Sequence, residues 1–163
     1  MFTHLHNHTE FSLLDGLSRI KPMVKMAQQL GMDSLAITDH GSLYGAIEFY
    51  LECREAGIKP IIGCELYLSD GSRLSKGSAD KQNSHLTVLA KNNEGYRNLV
   101  ELASKAHLEG FYYKPRVDKE LLALHGKGLV ILSGCLSSEI SRLIVAGDMG
   151  GGERTLPVVS ADV

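Results

Sequence analysis

The sequence lacks the features of several protein classes. No stretch approaches the roughly 18 consecutive apolar residues that a membrane-spanning helix needs, so no membrane association is predicted. The first residues contain no basic stretch followed by an apolar run, which argues against a signal peptide. The three cysteines are widely spaced and odd in number, so neither a CxxC metal pair nor a disulfide framework is indicated. A cytoplasmic location is therefore expected.

Bulk positive charge is also missing. The 163 residues carry a formal net charge of -2, whereas a domain that holds nucleic acid by bulk charge is usually basic. This balance argues against a non-specific DNA clamp, but it allows a nucleic-acid end to enter a local metal site. The hydrophobic fraction of 44% is ordinary for a globular chain. The unusual feature is the 7 histidines, because His4, His6 and His8 crowd together near the start.

Short apolar segments alternate with amphipathic segments along the chain. Strands are predicted at 2–6, 34–38, 60–68, 85–90 and 128–133. Helices are predicted at 20–30 (with Ser18 as candidate cap), 43–57, 96–103, 118–125 and 138–145, and a surface loop at 69–83. This order predicts an α/β fold with mainly parallel strands, either a TIM-type barrel or an open doubly wound sheet. No glycine-rich phosphate fingerprint follows the first strand, which disfavours a dinucleotide-binding version.

Every predicted strand has a metal-binding type of side chain at or near one end. In chain order these are His6, His8, Asp15, Asp39, His40, Glu65, His85 and Cys135. Because the carboxyl ends of parallel strands meet at one edge of a sheet, these groups are expected to converge. His85 is the exception, since it lies near the predicted start of its strand. Either that strand begins earlier or its predicted boundary is misplaced.

The chemistry of these groups favours metal ions. Alternate residues of a strand face the same side, so His6 and His8 can both face one ion. Imidazole nitrogen suits zinc, iron and manganese, and a carboxylate such as Glu65 can bridge two ions. Two ions about 3.5–4 Å apart clamp a phosphoryl group and lower the pKa of a bound water. Asp39 is expected to be a ligand or the acceptor that fixes an imidazole tautomer.

Each of these residues alone has an ordinary structural explanation. A lone HxH is more often a packing or surface feature than a metal site, and the TDHG segment at 38–41 can be a simple turn. Glu65 can be a paired charge, His85 a satisfied core histidine and Cys135 a small buried hydrophobe. Their joint occurrence at five successive strands favours the metal site. Outside the site are placed His4 (core or indirect support), His107 and His125 (solvent), and Cys53 and Cys64 (packing).

Six longer segments carry a family resemblance. They are HLHNHTEFSLLDG (4–16), AITDHGSLYGAIEFY (36–50), GIKPIIGCELYL (57–68), HLTVLAKNNEGYRNLVELAS (85–104), EGFYYKPRVD (109–118) and ILSGCLSSEI (131–140). Together they resemble the PHP (polymerase and histidinol phosphatase) family, in its branch at the N-terminus of bacterial DNA polymerase III alpha subunits.

The resemblance implies a distorted TIM-like (βα)7 barrel with two or three divalent ions, zinc being expected and manganese or iron the alternatives. The implied metal ligands are His6, His8, Asp15, His40, Glu65, His85 and Cys135. Catalysis is expected to use His8, His40, Glu65 and Asp39. The implied activity is 3'–5' exonuclease proofreading on a DNA 3' end, or hydrolysis of another phosphoester. The rest of the polymerase chain and the replisome subunits would be its partners.

Two alternatives stay open. One is a stand-alone phosphatase of the histidinol phosphatase type, and the other is a non-catalytic structural module. Residues 1–147 are expected to form a partial PHP domain, and residues 148–163 a divergent, poorly ordered tail. The chain stops before the Asp-x-His with which the family completes its site. Since five strands cannot close a barrel, low stability or aggregation is expected.

Overall fold

The computed structural model describes residues 2–134, 136–148 and 150 as an α/β fold around a five-stranded sheet. The strands are β1 (Ser34–Ile37), β2 (Lys59–Ser69), β3 (Asn83–Ala90), β4 (Arg116–Val117) and β5 (Leu129–Leu132). The helices are α1 (Ile20–Gln29), α2 (Ala46–Ala56), α3 (Asn93–Leu108), α4 (Lys119–His125) and α5 (Glu139–Val145), with a 3-10 turn at Ser78–Lys81. The α/β class is thus confirmed.

The sheet is mixed, which corrects the expectation of mainly parallel strands. β1 and β4 pair with β2 in parallel, whereas β3 runs antiparallel to both β2 and β5. The physical reason is the connection between β2 and β3. It is a polar loop with one 3-10 turn rather than a full crossover helix, and an antiparallel pair needs no crossover. A closed (βα)7 barrel stays a prediction.

The N-terminal segment differs from its prediction. No strand is assigned at residues 2–6, yet the segment lies along β1 and bonds to it. The Ala36 N–H donates to the His4 carbonyl at 3.1 Å, and the Thr38 N–H donates to the Asn7 carbonyl at 2.9 Å. These widely spaced bonds hold an extended segment beside the sheet without forming a continuous ladder.

The helix termini follow local chemistry. α1 begins at Ile20 rather than at the predicted Ser18 cap, and the Glu10 carboxylate accepts the Ile20 N–H at 3.1 Å. Asp118 caps α4 by accepting the Leu121 N–H, as expected at the N-terminus of a helix. α2 ends at Gly57, whose φ of 72° is the left-handed conformation that glycine adopts without strain.

Apolar side chains form two core clusters on the sheet. The first lies between α1, α2 and β1 and contains Ile20, Val24, Ala27, Leu35, Ile37, Phe49, Cys53 and Ile58. The second joins β2, β3 and β5 to α3 and α4 and contains Cys64, Leu66, Leu68, Leu86, Val88, Leu99, Leu102, Ala106, Val117, Leu121, Leu122 and Leu129. Both clusters fix the orientation of β2, which carries Glu65.

Two predictions fall largely outside the described residues. Cys135 is not among them, and the predicted tail 148–163 is described only at positions 148 and 150. Among the helices that are described, none combines the length and the apolar character needed to cross a bilayer.

Candidate metal centre

The backbone around Asn7 orients His6 and His8 towards the sheet. The Asn7 N–H donates to the Thr38 hydroxyl at 2.9 Å, and its side-chain amide donates to the Ala36 carbonyl at 3.0 Å. With Asn7 fixed on β1, its two neighbours in sequence face the opposite side of the extended segment. His6 and His8 both reach the Glu65 carboxylate, as the HxH pattern predicts.

Glu65 lies at the centre of the histidine cluster. Its side chain is only 2% exposed, and its two oxygens face different histidines. Oε2 contacts His6 Nε2 and lies 3.1 Å from His8 Nε2. Oε1 contacts His85 Nδ1 and lies 3.6 Å from His40 Nδ1. The carboxylate therefore separates the four imidazoles into two pairs, one on each oxygen.

The orientation of β3 accounts for the position of His85. The strand begins at Asn83, two residues before His85, so the strand does begin earlier than predicted. Since β3 is antiparallel to β2, His85 pairs with Tyr67, near the carboxyl end of β2. The start of β3 and the end of β2 thus lie at the same edge of the sheet.

His40 connects the two pairs of imidazoles. Its ring stacks on the ring of His8 with centroids 4.1 Å apart. Its Nε2 lies 2.9 Å from a carboxylate oxygen of Asp15. Its Nδ1 is buried and has no hydrogen-bond partner among the described atoms. A buried imidazole nitrogen without a partner is costly unless a ligand takes its lone pair.

Two groups of side chains meet the requirements for divalent ions. One is His6, His8 and Glu65, and the other is His40, Glu65 and His85, with the ligand atoms of each group within 4.8 Å of one another. Imidazole nitrogens with carboxylate oxygens suit zinc, manganese and iron. The buried Nδ1 of His40 faces the second group, so the residues present fit the implied metal.

The ionisation of the cluster is strongly perturbed. Burial alone would raise the pKa of Glu65, but hydrogen bonds from His8, His85 and His6 outweigh it and hold that pKa well below its usual range. The same hydrogen bond to Glu65 raises the pKa of His8 above its ordinary value of 6.5, against the opposing effect of burial. A metal ion that binds His8 must therefore displace a proton from its ring.

Metal affinity should consequently depend on pH. Because the pKa of His8 is raised, its ring is protonated below and somewhat above pH 6.5, and an ion must displace that proton. Lowering the pH through this range should weaken Mn²⁺ binding by up to about tenfold per pH unit for each displaced proton. Calorimetric titrations between about pH 5.5 and 8.5 measure how the Mn²⁺ affinity depends on pH. His4→Ala is the control and should show the same pH dependence as the wild type. An affinity independent of pH would contradict it.

Asp15 and Asp39 lie outside both groups. Asp15 contacts the His40 nitrogen that points away from Glu65, so it can fix the tautomer of His40. Asp39 is 1% exposed and accepts hydrogen bonds from the Thr9 N–H, the Thr9 hydroxyl and the Ser12 hydroxyl, at 2.6, 2.7 and 2.7 Å. Its carboxylate anchors the loop that follows His8.

Ser12 is a site residue that the sequence did not reveal. Its hydroxyl proton goes to Asp39, so its oxygen accepts the backbone N–H of His40 at 3.1 Å. The same oxygen lies 3.4 Å from His8 Nδ1, which orients the Nδ1 proton towards it and leaves Nε2 for Glu65 or an ion. Asp39 thus acts on the His8 tautomer through Ser12 rather than directly.

Tyr67 is a second missed residue, although its spacing could have indicated it. It lies two positions after Glu65 and so faces the same side of β2. Its ring centroid is 5.9 Å from that of His40 and 5.2 Å from that of His85. Burial, and then the negative charge of Glu65, raise the pKa of Tyr67 to about 12, so the phenol is neutral.

The remaining histidines and cysteines follow their predictions only in part. His107 is exposed as predicted, and its Nε2 also donates to the Gly41 carbonyl at 2.9 Å. His4, predicted to lie in the core or to support the site indirectly, is exposed, so a core position is wrong. Cys53 and Cys64 are buried, which raises the pKa of each thiol to about 12 and confirms a packing role. His125, expected in solvent, is half-buried. Whether Cys135 completes the ligand set stays a prediction.

An open cleft with a volume of about 450 Å³ gives access to the cluster. His40, His85 and Asp15 lie in its wall, with Tyr67 and Lys114 beside them. The exposed Leu13 and Leu14 are part of its rim. A substrate can therefore approach the predicted ligands from solvent.

The sequence of this chain is similar to those of known proteins. A sequence profile of the PHP domain family matches residues 4–158. The DNA polymerase III subunit alpha of Treponema pallidum is 51% identical over 148 residues, which is 90% of this chain and 13% of that protein. The subunits of Helicobacter pylori (52% over 140 residues) and Thermus aquaticus (49% over 149 residues) cover 86% and 88% of this chain and 12% of each relative. The chain thus spans about an eighth of the length of these relatives.

Two solved structures are similar at a lower level. One is a Bifidobacterium adolescentis protein assigned as a metal-dependent phosphoesterase, with a TM-score of 0.47 and 16% identity over 99% of this chain and 56% of that chain. The other is an amidohydrolase from Chromobacterium violaceum, with a TM-score of 0.45 and 18% identity over 95% of this chain and 54% of that chain. Likenesses at this level do not define the fold.

Proposed function

Since this chain belongs to the PHP domain family, we propose that it carries a divalent-metal site that hydrolyses phosphoesters. The observation that carries the proposal is the arrangement around Glu65. One buried carboxylate presents a separate oxygen to each of two imidazole pairs, so Glu65 could serve as a ligand to two ions. Contacts with the carboxylate account for His6, His8 and His85, but His40 Nδ1 is buried without a hydrogen-bond partner among the described atoms, and an ion would take its lone pair.

The two groups divide the ligands between two ions. His6 and His8 would hold one ion with Glu65 Oε2, and His40 and His85 would hold the other with Glu65 Oε1. Such ions supply a Lewis acid that polarises a phosphoryl oxygen and activates water. Zinc is the proposed metal, with manganese and iron as alternatives of the same ligand chemistry. A third ion would need Cys135 or Asp15.

The side chains around the ligands prepare them for this role. Asp15 would accept a hydrogen bond from His40 Nε2–H, which leaves the Nδ1 lone pair, on the Glu65 side of the ring, for an ion. Ser12, held by Asp39, would do the same for His8, because its oxygen accepts from Nδ1–H and leaves Nε2 for an ion. Asp15 is 59% exposed at the cleft, so its carboxylate can also take a proton during the reaction and release it to solvent.

The proposed substrate is the 3' end of single-stranded DNA, within a DNA polymerase III alpha subunit that works with replisome partners. The proposal follows from the polymerase relatives, which extend far beyond the matched region. In such a protein, residues 1–147 would contribute to a (βα)7 barrel beside the polymerase. A small phosphomonoester is the second candidate, because the open cleft does not restrict the substrate to a polymer end.

Digestion of single-stranded DNA tests the proposal. The metal-loaded chain should release nucleotides from the 3' end, and His8→Ala should reduce the rate by at least about a hundredfold, since it removes a ligand. His4→Ala is the matched control, because His4 lies two residues from His6 but belongs to neither group. Faster hydrolysis of a phosphomonoester such as p-nitrophenyl phosphate would indicate a phosphatase. Metal binding without any hydrolysis would indicate a structural module.

A further inference from the structure

Lys114 provides a positive charge in the cleft wall. The described residues that line the cleft include no other lysine and no arginine. Its side chain is half-buried, and its Nζ lies 5.2 Å from the centroid of the Tyr67 ring. Within the described part of the chain, no carboxylate forms an ion pair with it. The ammonium group thus faces a neutral ring and solvent, with its charge unpaired.

Tyr67 relates Lys114 to the metal centre. The ring that Lys114 covers also contacts the rings of His40 and His85, at 5.9 and 5.2 Å between centroids. Lys114 is therefore separated by a single aromatic ring from two of the predicted ligands. Because Lys114 lines the same cleft as His40 and His85, its ammonium group can contact a substrate held at these side chains.

The backbone holds Lys114 in place at some cost. Tyr113, immediately before it, has a φ of 61°, a left-handed conformation that a bulky residue rarely adopts. The Tyr112 N–H donates to the Lys114 carbonyl at 3.1 Å, which closes a tight turn. Pro115 packs on Gly41, where an added Cβ would come within 2.7 Å of the proline ring. Strain of this kind persists where the surrounding structure fixes a functional side chain.

Resting on the proposed phosphoester hydrolysis, we propose that Lys114 binds an anionic oxygen of the substrate phosphate. The cleft wall also carries Asp15, and Glu65 contacts the wall residues His40 and His85, so an anionic substrate would meet negative charge there. An ammonium group is a compact charge suited to phosphate oxygens. Lys114 thus selects phosphate-bearing substrates and acts on their binding more than on the chemical step.

The test compares variants of the full chain loaded with Mn²⁺ on single-stranded DNA. Lys114→Met should raise KM roughly tenfold to a hundredfold, since a charge-assisted hydrogen bond is lost, and should leave the Mn²⁺ stoichiometry unchanged. Lys114→Arg should restore most of the affinity. Lys81→Met is the matched control, because Lys81 lies 5.0 Å from the Tyr113 ring of the same turn but does not line the cleft. Its KM should stay at the wild-type value.

A direct binding measurement separates this proposal from the proposed function. If the wild-type chain hydrolyses no phosphoester, that function fails, and anisotropy of 5'-labelled single-stranded DNA still tests Lys114. Weaker binding by Lys114→Met than by Lys81→Met would support the phosphate contact. Equal KM and equal DNA affinity in wild type and Lys114→Met would overturn it. Lys114→Gln replaces the methionine variant if that variant does not fold.

Discussion

Glu65→Gln is expected to remove both divalent ions at once and to reduce phosphoester hydrolysis by at least about a thousandfold. Each oxygen of Glu65 serves a different imidazole pair, so the two groups share this one residue. Glutamine keeps the shape of the side chain but carries no negative charge, and its NH2 group cannot bind a cation. By contrast, His8→Ala removes a ligand from only one group and should leave the other ion in place.

Elemental analysis after dialysis measures this difference directly. Wild type should retain two ions per chain, His8→Ala fewer and Glu65→Gln none. Glu48→Gln is the matched control, because Glu48 is an exposed carboxylate on α2 that belongs to neither group. Circular dichroism confirms that each variant is folded. Retention of the full metal content by folded Glu65→Gln would refute the shared carboxylate.

Arg116→Met is expected to lower the free energy of unfolding by about 3–5 kcal/mol, because a buried hydrogen-bond network around one guanidinium is lost as a unit. Arg116 is fully buried, and among the described residues its guanidinium donates to backbone carbonyls alone. These are the carbonyls of Gly110, Asp80, Arg73 and Ser75, at 2.8–3.0 Å. A single guanidinium thus ties the loop between β2 and β3 to the turn that leads into β4.

Denaturant unfolding of the chain measures this loss. Arg116→Lys should recover only a small part of the stability, since one ammonium group cannot span acceptors arranged for a planar fork. Arg97→Met is the control, because Arg97 is exposed on α3, and it should change stability by less than about 0.5 kcal/mol. An unchanged midpoint for Arg116→Met would show that water replaces the guanidinium without cost.

Much of the fold could be predicted because its signals are local. Helical periodicity indicated α1 and α2. Gly57 indicated the end of α2, because glycine favours the positive φ that the structure shows there. The two-residue strand β4 is too short to leave a pattern. The direction of β3 was missed because an apolar strand looks the same in both orientations. Strand direction depends on the connection and on pairing partners far away in sequence.

The candidate site was predictable in its ligands and less so in their supports. His6, His8, His40, Glu65 and His85 meet in one cluster, as their positions at strand ends predict. The role of Ser12 depends on a loop whose path is set by Asp39, and no local pattern reveals that contact. Lys114 was missed for a similar reason, since its place in the cleft follows from the tight turn at Tyr113.

An anomalous difference map tests the shared carboxylate most directly. Crystals of the chain are soaked in Mn²⁺, and diffraction data are collected at the manganese absorption edge. The map should show two peaks, one beside each oxygen of Glu65. One peak should contact His6 and His8, and the other His40 and His85. A map with no peak near Glu65, or with a single peak contacted by only one imidazole, would contradict a two-ion centre.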